Sequence, residues 1–397
     1  MNKVFIILVF TVGINATAQI ATYQTDNSGT NASAIGYQTS ATNTASTAMG
    51  NNSTASGVTS TAIGRETLAS GVTSTAMGYQ TSAINTAATA MGNNSTASGE
   101  TSTAMGNNST ASGVTSTAMG YQTSATNTAS TAMGNSSTAS GVTSTAIGNN
   151  STASGETSIA MGFETEATHN ASIAMGYQTS STEGASTAMG FKTTASGFGS
   201  TSIGYETTAS GNCSTAIGKS NIASDFGSLV IGQHNLSGST VTYSATEPNY
   251  ANTAFVIGNG TASNAKSDAF KVMVNGNTTV GNNLTVSGDV VVSSDARLKA
   301  NIVSLGSTLA KLLLIDGKTY TMKKDGKQKI GVLAQDIQKV FPELVTTDDK
   351  DMLAVNYQGL VPVLINALKE QEGKICKQQS EIDELKEMFK ELITKQE

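Results

Sequence analysis

Between residues 23 and 232 the apolar positions ignore the helical period. They arrive as a pair, alanine then isoleucine or methionine, closed at once by glycine. Fifteen such glycines, Gly36, Gly50, Gly64 and onward to Gly232, stand fourteen residues apart. The stretch therefore divides into 15 units of 14 residues, of which 107–120 reads NNSTASGVTSTAMG and 135–148 reads NSSTASGVTSTAIG. A fixed short period marks a solenoid in which each unit is one coil. Gly, Ser, Thr and Asn fill the remaining positions, and these residues compete with helix or prefer extended and turn conformations.

Within each unit, S-T-A-I/M-G predicts a few extended residues ended by a glycine turn. A second turn falls seven residues away, at Gly57, Gly71, Gly99, Gly113, Gly141 and Gly155, with Asn43 or Asn127 as substitutes. Both residue types tolerate positive φ. The expectation is two short strands and two turns per coil, with successive coils paired in parallel. The Ile/Met column (Ile35, Met49, Ile63, Met77 through Ile231) and the alanine columns (Ala55, Ala62 and their equivalents) are the inward-facing candidates. One medium side chain per coil buries too little apolar area to offset backbone ordering of roughly 1–2 kcal/mol per residue. Three rolls side by side would make up the deficit, so the pattern predicts an oligomer.

The pattern changes on either side of the array. Met1–Ala18 carries Lys3, an apolar run from Val4 to Val12, and Ala16-Thr17-Ala18 before Gln19. That is the layout of a secretory signal peptide cut after Ala18. The alternative is a buried N-terminal strand. No other segment is long and apolar enough to suggest a permanent membrane span. Between Gly232 and Gly258 the glycine spacing grows from 14 to 26, an excursion placed at Thr240–Ala251. It reads either as a binding loop or as a strand crossing to a neighbouring subunit. Residues 268–292 carry spaced apolar positions (Phe270, Val272, Val274, Val280, Leu284, Val286, Val290, Val292) between Asn-Gly and Gly-Asn turns, predicting a short β-stalk.

From Ser294 the density of apolar residues becomes that of a globular domain. Strands are expected near Thr319–Lys323 and Leu353–Asn356, with a helix at Ala334–Val340 ending before Pro342. Residues 361–392 carry a heptad, with Val361, Leu368, Ile375, Ile382 and Phe389 at a, and Leu364, Gln371, Gln378, Leu385 and Leu392 at d. Its alternative is a core helix packed on its own domain. Gly373 costs such a helix about 1 kcal/mol, and isoleucine at a with leucine at d favours dimers in simple coils. A trimer is therefore not predicted by this seam.

The recurring A-I/M-G with A-S-G seven residues on resembles the head repeats of YadA-like trimeric autotransporter adhesins, over residues 23–258. That resemblance implies a mainly β fold, a trimer of left-handed parallel β-rolls. The strands here hold more Thr and Met than the family pattern, and no C-terminal membrane anchor of the family's kind is expected. Ser294, Asp295, Arg297 and Lys299 (Ser-Asp-x-Arg-x-Lys), Ile330-Gly331 with Ala334-Gln335, and Phe341-Pro342-Glu343-Leu344 make residues 294 to about 370 similar to the C-terminal intramolecular chaperone of phage tail spikes and endosialidases. That family is trimeric and cuts itself off after assembly. The expected layout is a signal peptide at 1–18, a β-roll head at 19–258, a neck and β-stalk at 259–293, a small α+β chaperone at 294–370 and a coiled coil at 371–397.

Charge and composition narrow the function. Charged residues make up 13% and aromatics 5%, with no tryptophan, which argues against a compact enzyme core in the first half. Residues 19–293 carry 5 basic and 12 acidic side chains, and 294–397 carry 16 of each, so neither part has the basic surplus that nucleic acid selects. Cys213 and Cys376 are too few and too distant for a disulfide framework, and Cys213 reads as a small core residue of its coil. His169 and His234 fall in predicted turns without clustered partners, so neither a metal nor a cofactor is expected.

Two sets of site residues remain. By the second resemblance, Ser294 attacks the carbonyl of Ser293 once per chain with Lys299 as its base, a single-turnover serine endopeptidase acting on itself. Lysine can serve only with its pKa lowered by burial or nearby positive charge, for which Arg297 and lysines of neighbouring subunits are candidates, with Asp295 in support. Five residues of helix rotate by about 140°, so Ser294 and Lys299 must meet across a turn or between subunits. The alternative is a retained, inert cap. The second set is the aromatic column Tyr37, Tyr79, Tyr121 and Phe163, one every third coil, with Tyr177, Phe191 and Tyr205 completing the row. It reads as a repeated surface contact or as packing against a neighbouring coil or subunit. The reading is a secreted or surface-exposed homotrimeric, adhesin-like fibre whose ligand, on a cell surface or a glycan, is unknown. The alternative is a phage-derived tail fibre that binds a receptor. Ice or mineral binding by the threonines is a third reading, with the Asn, Glu and Tyr substitutions against it.

Overall fold

The computed structural model describes residues 23–348 and 351–395, so the signal peptide expected at 1–18 lies outside the described residues. The chain divides between Thr285 and Val286 into two units.

The first unit is the expected parallel solenoid. Fifteen five-residue strands, from Ser33–Tyr37 to Leu229–Gln233, stack in one sheet. Each pairs in parallel with its equivalent one unit on, as Ile35 with Met49 and Met119 with Met133. A second sheet holds 14 two-residue strands, from Ser40–Ala41 to Ile222–Ala223, also parallel. Two turns link the sheets in every coil.

Two details differ from the sequence reading. The glycines at the second turn do not carry positive φ. The left-handed residues there lie two positions further on and are ordinary side chains, such as Ala45, Thr59 and Thr73, at φ 53 to 55°. They are held by coil-to-coil hydrogen bonds, for example Thr59 N–H to the Thr44 carbonyl at 2.8 Å. Gly57 instead serves close approach, since a Cβ there would lie 1.9 Å from the Gly71 carbonyl oxygen.

The second difference concerns the Ile/Met column, which does not face the coil interior. Strand side chains alternate, and Ala48 points inward, so Thr47 and Met49 point out. Ala48 is 0% exposed and Met49 37%. Up to the last coils the interior holds alanines and hydroxyls such as Ser53 and Ser60, which donate to the Gly64 and Gly57 carbonyls at 2.8 Å each. Val230 and Val256 join it at the C-terminal end. The Ile/Met residues therefore form an apolar ladder along the outside of the longer sheet. Continuous apolar faces of this kind are where proteins associate.

The excursion after Gln233 closes the roll. Its backbone stands in for the next coil: Ser224 N–H donates to the Gly238 carbonyl at 2.9 Å, Phe226 to Ser244 at 2.9 Å and Asn212 to Ala245 at 2.7 Å. The Asn235 side chain pairs with both the N–H and the carbonyl of Ile222, at 2.8 Å each, as a neighbouring strand would. Asp225, 0% exposed, accepts from Thr242 N at 2.6 Å and Thr253 N at 2.7 Å and pins both ends of the loop. Within this chain the stretch is a loop packed on its own roll.

Thr253–Asn259 then pairs in parallel with Leu229–Gln233 and antiparallel with Asp268–Met273, which pairs with Thr278–Val280. The expected stalk stops there. Leu284, Val286, Val290 and Val292 are exposed and lie in no strand of this chain.

In the second unit, Lys318–Thr321 pairs with Gln328–Gly331, and Val345–Thr347 with Leu353–Val355, both antiparallel. The helix Ala334–Val340 has the expected bounds and stops before Pro342. Ile337, Phe341 and Val363 form a small core with Leu312, Ile315, Val355 and Leu360. The long helix Leu360–Thr394 buries Val363 and Ala367 there. Glu370 accepts from Ser307 Oγ at 2.6 Å, Leu309 N at 3.1 Å and Thr308 N, tying the helix to the start of the short helix Leu309–Leu312. Those bonds hold its carboxyl below the ordinary value of 4.5. Further along, Ile375, Ile382, Leu385 and Phe389 are all exposed, so the core-helix alternative holds only for the first turns.

Candidate functional site

Ser294 and Lys299 meet across a turn. Ala296–Leu298 form one 3-10 turn, and the Asp295 side chain caps it by accepting from Arg297 N at 2.8 Å. Lys299 N–H closes the turn on the Ala296 carbonyl at 3.0 Å. Lys299 then runs extended, and its Nζ donates to Ser294 Oγ at 2.7 Å. A five-residue spacing that fails on an α-helix is thus bridged by a tighter turn.

Arg297 does not act as an unpaired positive charge. Its Nε donates to both Asp295 carboxylate oxygens at 3.1 Å and its Nη2 to Oδ2 at 2.7 Å. The Arg297 bonds hold the Asp295 carboxyl below its ordinary range, and Asp295 raises the guanidinium in turn. Arg297 is thus paired within its own chain, across a contact exposed to solvent. The whole segment is exposed. Its chemistry is that of a hydroxyl hydrogen-bonded to an amine, beside the Ser293–Ser294 peptide bond.

The aromatic column runs along one edge of the roll. Phe163, Tyr177, Phe191 and Tyr205 stack in series with centroids 4.9 to 5.0 Å apart and planes within 8°. Tyr37 stacks on Tyr23 at 5.4 Å. Tyr79 and Tyr121 differ, since their partners in the adjoining coils are Arg65 and Asn93, and Asn107 and Asn135. Packing on the adjacent coil accounts for the four-ring stack and, through the Arg65 guanidinium, for one face of Tyr79, and it leaves Tyr121 unexplained. Among the described residues no group of three or more His, Cys, Asp and Glu is arranged to hold a metal ion, and no helix is long and apolar enough to cross a membrane.

Comparison with known proteins matches both ends of the chain. The YadA head domain repeat matches in overlapping copies over residues 28–109 and again at 111–137, 139–165 and 195–221. The family described as chaperone of endosialidase matches 294–346, which includes Ser294 and Lys299. The chain joins YadA head repeats to a chaperone-of-endosialidase domain. It is also 36% identical over 87 residues to the long tail fiber protein Gp37 of Escherichia phage AR1. That similarity covers 19% of this chain and 8% of the phage protein, so the chain spans under a tenth of that relative's length.

Three features of this YadA head and its chaperone domain escaped the sequence reading. Nothing in the sequence around Asp225 marks it as the anchor of a distant loop. Nothing around Glu370 marks its bonds to Ser307 and Thr308, more than sixty residues away in sequence. The outward Ile/Met ladder was legible: alternation from the buried alanine alone would have turned that column outward.

Proposed function

We propose that the chain is a homotrimeric surface-binding fibre whose chaperone domain guides assembly and then removes itself by one cut at Ser293–Ser294. The 2.7 Å contact between Lys299 Nζ and Ser294 Oγ carries the cleavage reading. In its neutral form Lys299 accepts the Ser294 hydroxyl proton, and Oγ attacks the Ser293 carbonyl carbon through a five-membered ring. Lys299 returns that proton to the departing Ser294 nitrogen, leaving Ser293 as an ester on Oγ. Water hydrolyses the ester to a Ser293 carboxylate and restores the Ser294 hydroxyl beside a free amine. Because Asp295 already engages Arg297, the reading assigns the positive charge needed around Lys299 to lysines of the other subunits, which makes assembly the trigger. Expression of the wild type beside Ser294→Ala and Lys299→Ala tests this: two fragments joined at residues 293 and 294 in the wild type alone support it, and an intact chain in all three refutes it.

Trimerisation rests on the exposed Ile/Met ladder of the head and the open heptad seam of the long helix, two apolar faces on one chain. Light scattering of the uncut Ser294→Ala chain should give three times the chain mass. A stable folded monomer would remove this part of the reading. The expected signal peptide cut after Ala18 supports secretion or display at the cell surface, and recovery of the head from washed cells or from the medium checks it. The similarity to a phage tail fiber protein favours a second reading, a receptor-binding fibre of phage origin. Accumulation of the uncleaved N-terminus in the cytoplasm would favour that one.

A further inference from the structure

The edge between Tyr79 and Tyr121 combines a half-buried ring, an exposed ring and a row of amides in a way the fold does not require. Register pairs Tyr121 with Asn107 on one side and Asn135 on the other, all on the same backbone. Asparagine therefore satisfies this position, and an aromatic ring that is 47% exposed at Tyr121 adds nothing that the coil needs. Further along the same edge, the rings from Phe163 to Tyr205 cover one another's faces at about 5 Å and stabilise the stack. Tyr79 and Tyr121 have no such neighbour. The Arg65 guanidinium lies 5.3 Å from the centroid of the Tyr79 ring on the side away from Tyr121. The free face of Tyr79 thus looks along the edge toward Tyr121.

Two coils separate these rings, and both present asparagine pairs, Asn93 with Asn94 and Asn107 with Asn108. Asn94 Nδ2 donates to Asn108 Oδ1, and Asn108 Nδ2 donates to Asn107 Oδ1 at 2.8 Å, so the amides are ordered into a row. Each keeps further donors and acceptors free. The two rings are about 14 Å apart at three coil rises. The side chains between the two rings, Asn93, Asn94, Asn107 and Asn108, carry no formal charge.

We propose that the Tyr79–Tyr121 strip binds an uncharged polysaccharide chain. Sugar C–H faces lie against the electron-rich faces of the two tyrosines, and sugar hydroxyls exchange water for the asparagine amides between them. The absence of charge excludes selection for an anionic polymer, and the row of amides supplies both donors and acceptors, as hydroxyls require. The proposal rests on the reading of the head as a surface-binding fibre and names the class of surface it takes.

Native gels containing laminarin, dextran or mannan, with heparin as the anionic comparison, test the full chain. The wild type should be retarded by at least one neutral polymer and not by heparin. The Tyr79→Asn/Tyr121→Asn variant, which installs the residue that neighbouring coils already use, should bind about tenfold more weakly at an unchanged Tm. Tyr177→Asn/Tyr205→Asn should bind like the wild type and melt earlier. Retardation by none of the neutral polymers, retardation by heparin alone, or a strip variant that binds like the wild type would each overturn the proposal. A fibre that binds these polymers but holds to no cells would refute the surface-binding reading and leave the strip standing. Loss of polymer binding in the strip variant with cell attachment intact would keep both.

Discussion

The two units reach a folded state by opposite means. The head interior is alanine and serine, and its order comes from repetition: each coil hydrogen-bonds the next in the same register from Ser33 to Gln233. The chaperone domain has few repeated contacts and gathers Ile337, Phe341 and Val363 into a conventional core. A backbone ladder spreads stability evenly along its length, as nearest-neighbour repeats do. A side-chain core concentrates it in a few residues. The head should therefore be sensitive to backbone geometry and the chaperone domain to volume.

The largest effect is expected where volume is removed from that core. Ile337→Ala should cost about 2–5 kcal/mol and unfold the C-terminal unit while the head keeps its strand signal in circular dichroism. An equal loss in both units would break the comparison. Next comes Gly120→Ala, which would set a Cβ 2.0 Å from the Gly134 carbonyl oxygen at a φ of +134°. With backbone on the other side of the contact, neither partner can yield cheaply. A loss of about 2 kcal/mol or more is expected, and hydrogen exchange should open the coils on either side of residue 120 and not the chaperone domain.

Much of this contrast was legible beforehand, for the same physical reason. A strict period of fourteen fixes strands, register and coil count, because every coil must repeat the one before it. The helix Ala334–Val340 was legible from Pro342. The orientation of the Ile/Met column was misjudged because apolar residues were assumed to face inward, whereas alternation from the buried alanine turns that column outward. At the site, the spacing of Ser294 and Lys299 limited how they could meet, and the turn was one of the two routes foreseen. The Asp295–Arg297 pairing was not foreseen, since opposite charges two residues apart are common on any surface. Beyond Val280 the alternating positions of the stalk lie in no strand of this chain.

Smaller effects sharpen the contrast. Thr115 is β-branched yet held at φ 54° by its coil-to-coil bond to Glu100, 2.8 Å long. Asparagine tolerates that conformation better, so Thr115→Asn should stabilise the head by about 1 kcal/mol, read as a raised Tm. The pH response should divide the units as well. Glu370 titrates below 4.5 in the folded chain, so its contribution is present above the unfolded value and fades as pH falls through the folded one. The C-terminal unit should lose stability in that acidic window, and Glu370→Gln should flatten the loss. Backbone amides do not titrate there, so the head's ladder should persist.

Asn235 has a wider meaning than its two hydrogen bonds. A stack of parallel coils is an open-ended polymer, and its last short strand offers a bare edge to any strand that arrives. By placing an amide where the next peptide group would sit, the chain ends that sheet with a counterfeit of itself. The short sheet thus has a defined stop at that end. Fibre length is then written in the number of units encoded rather than in how many molecules happen to dock end to end.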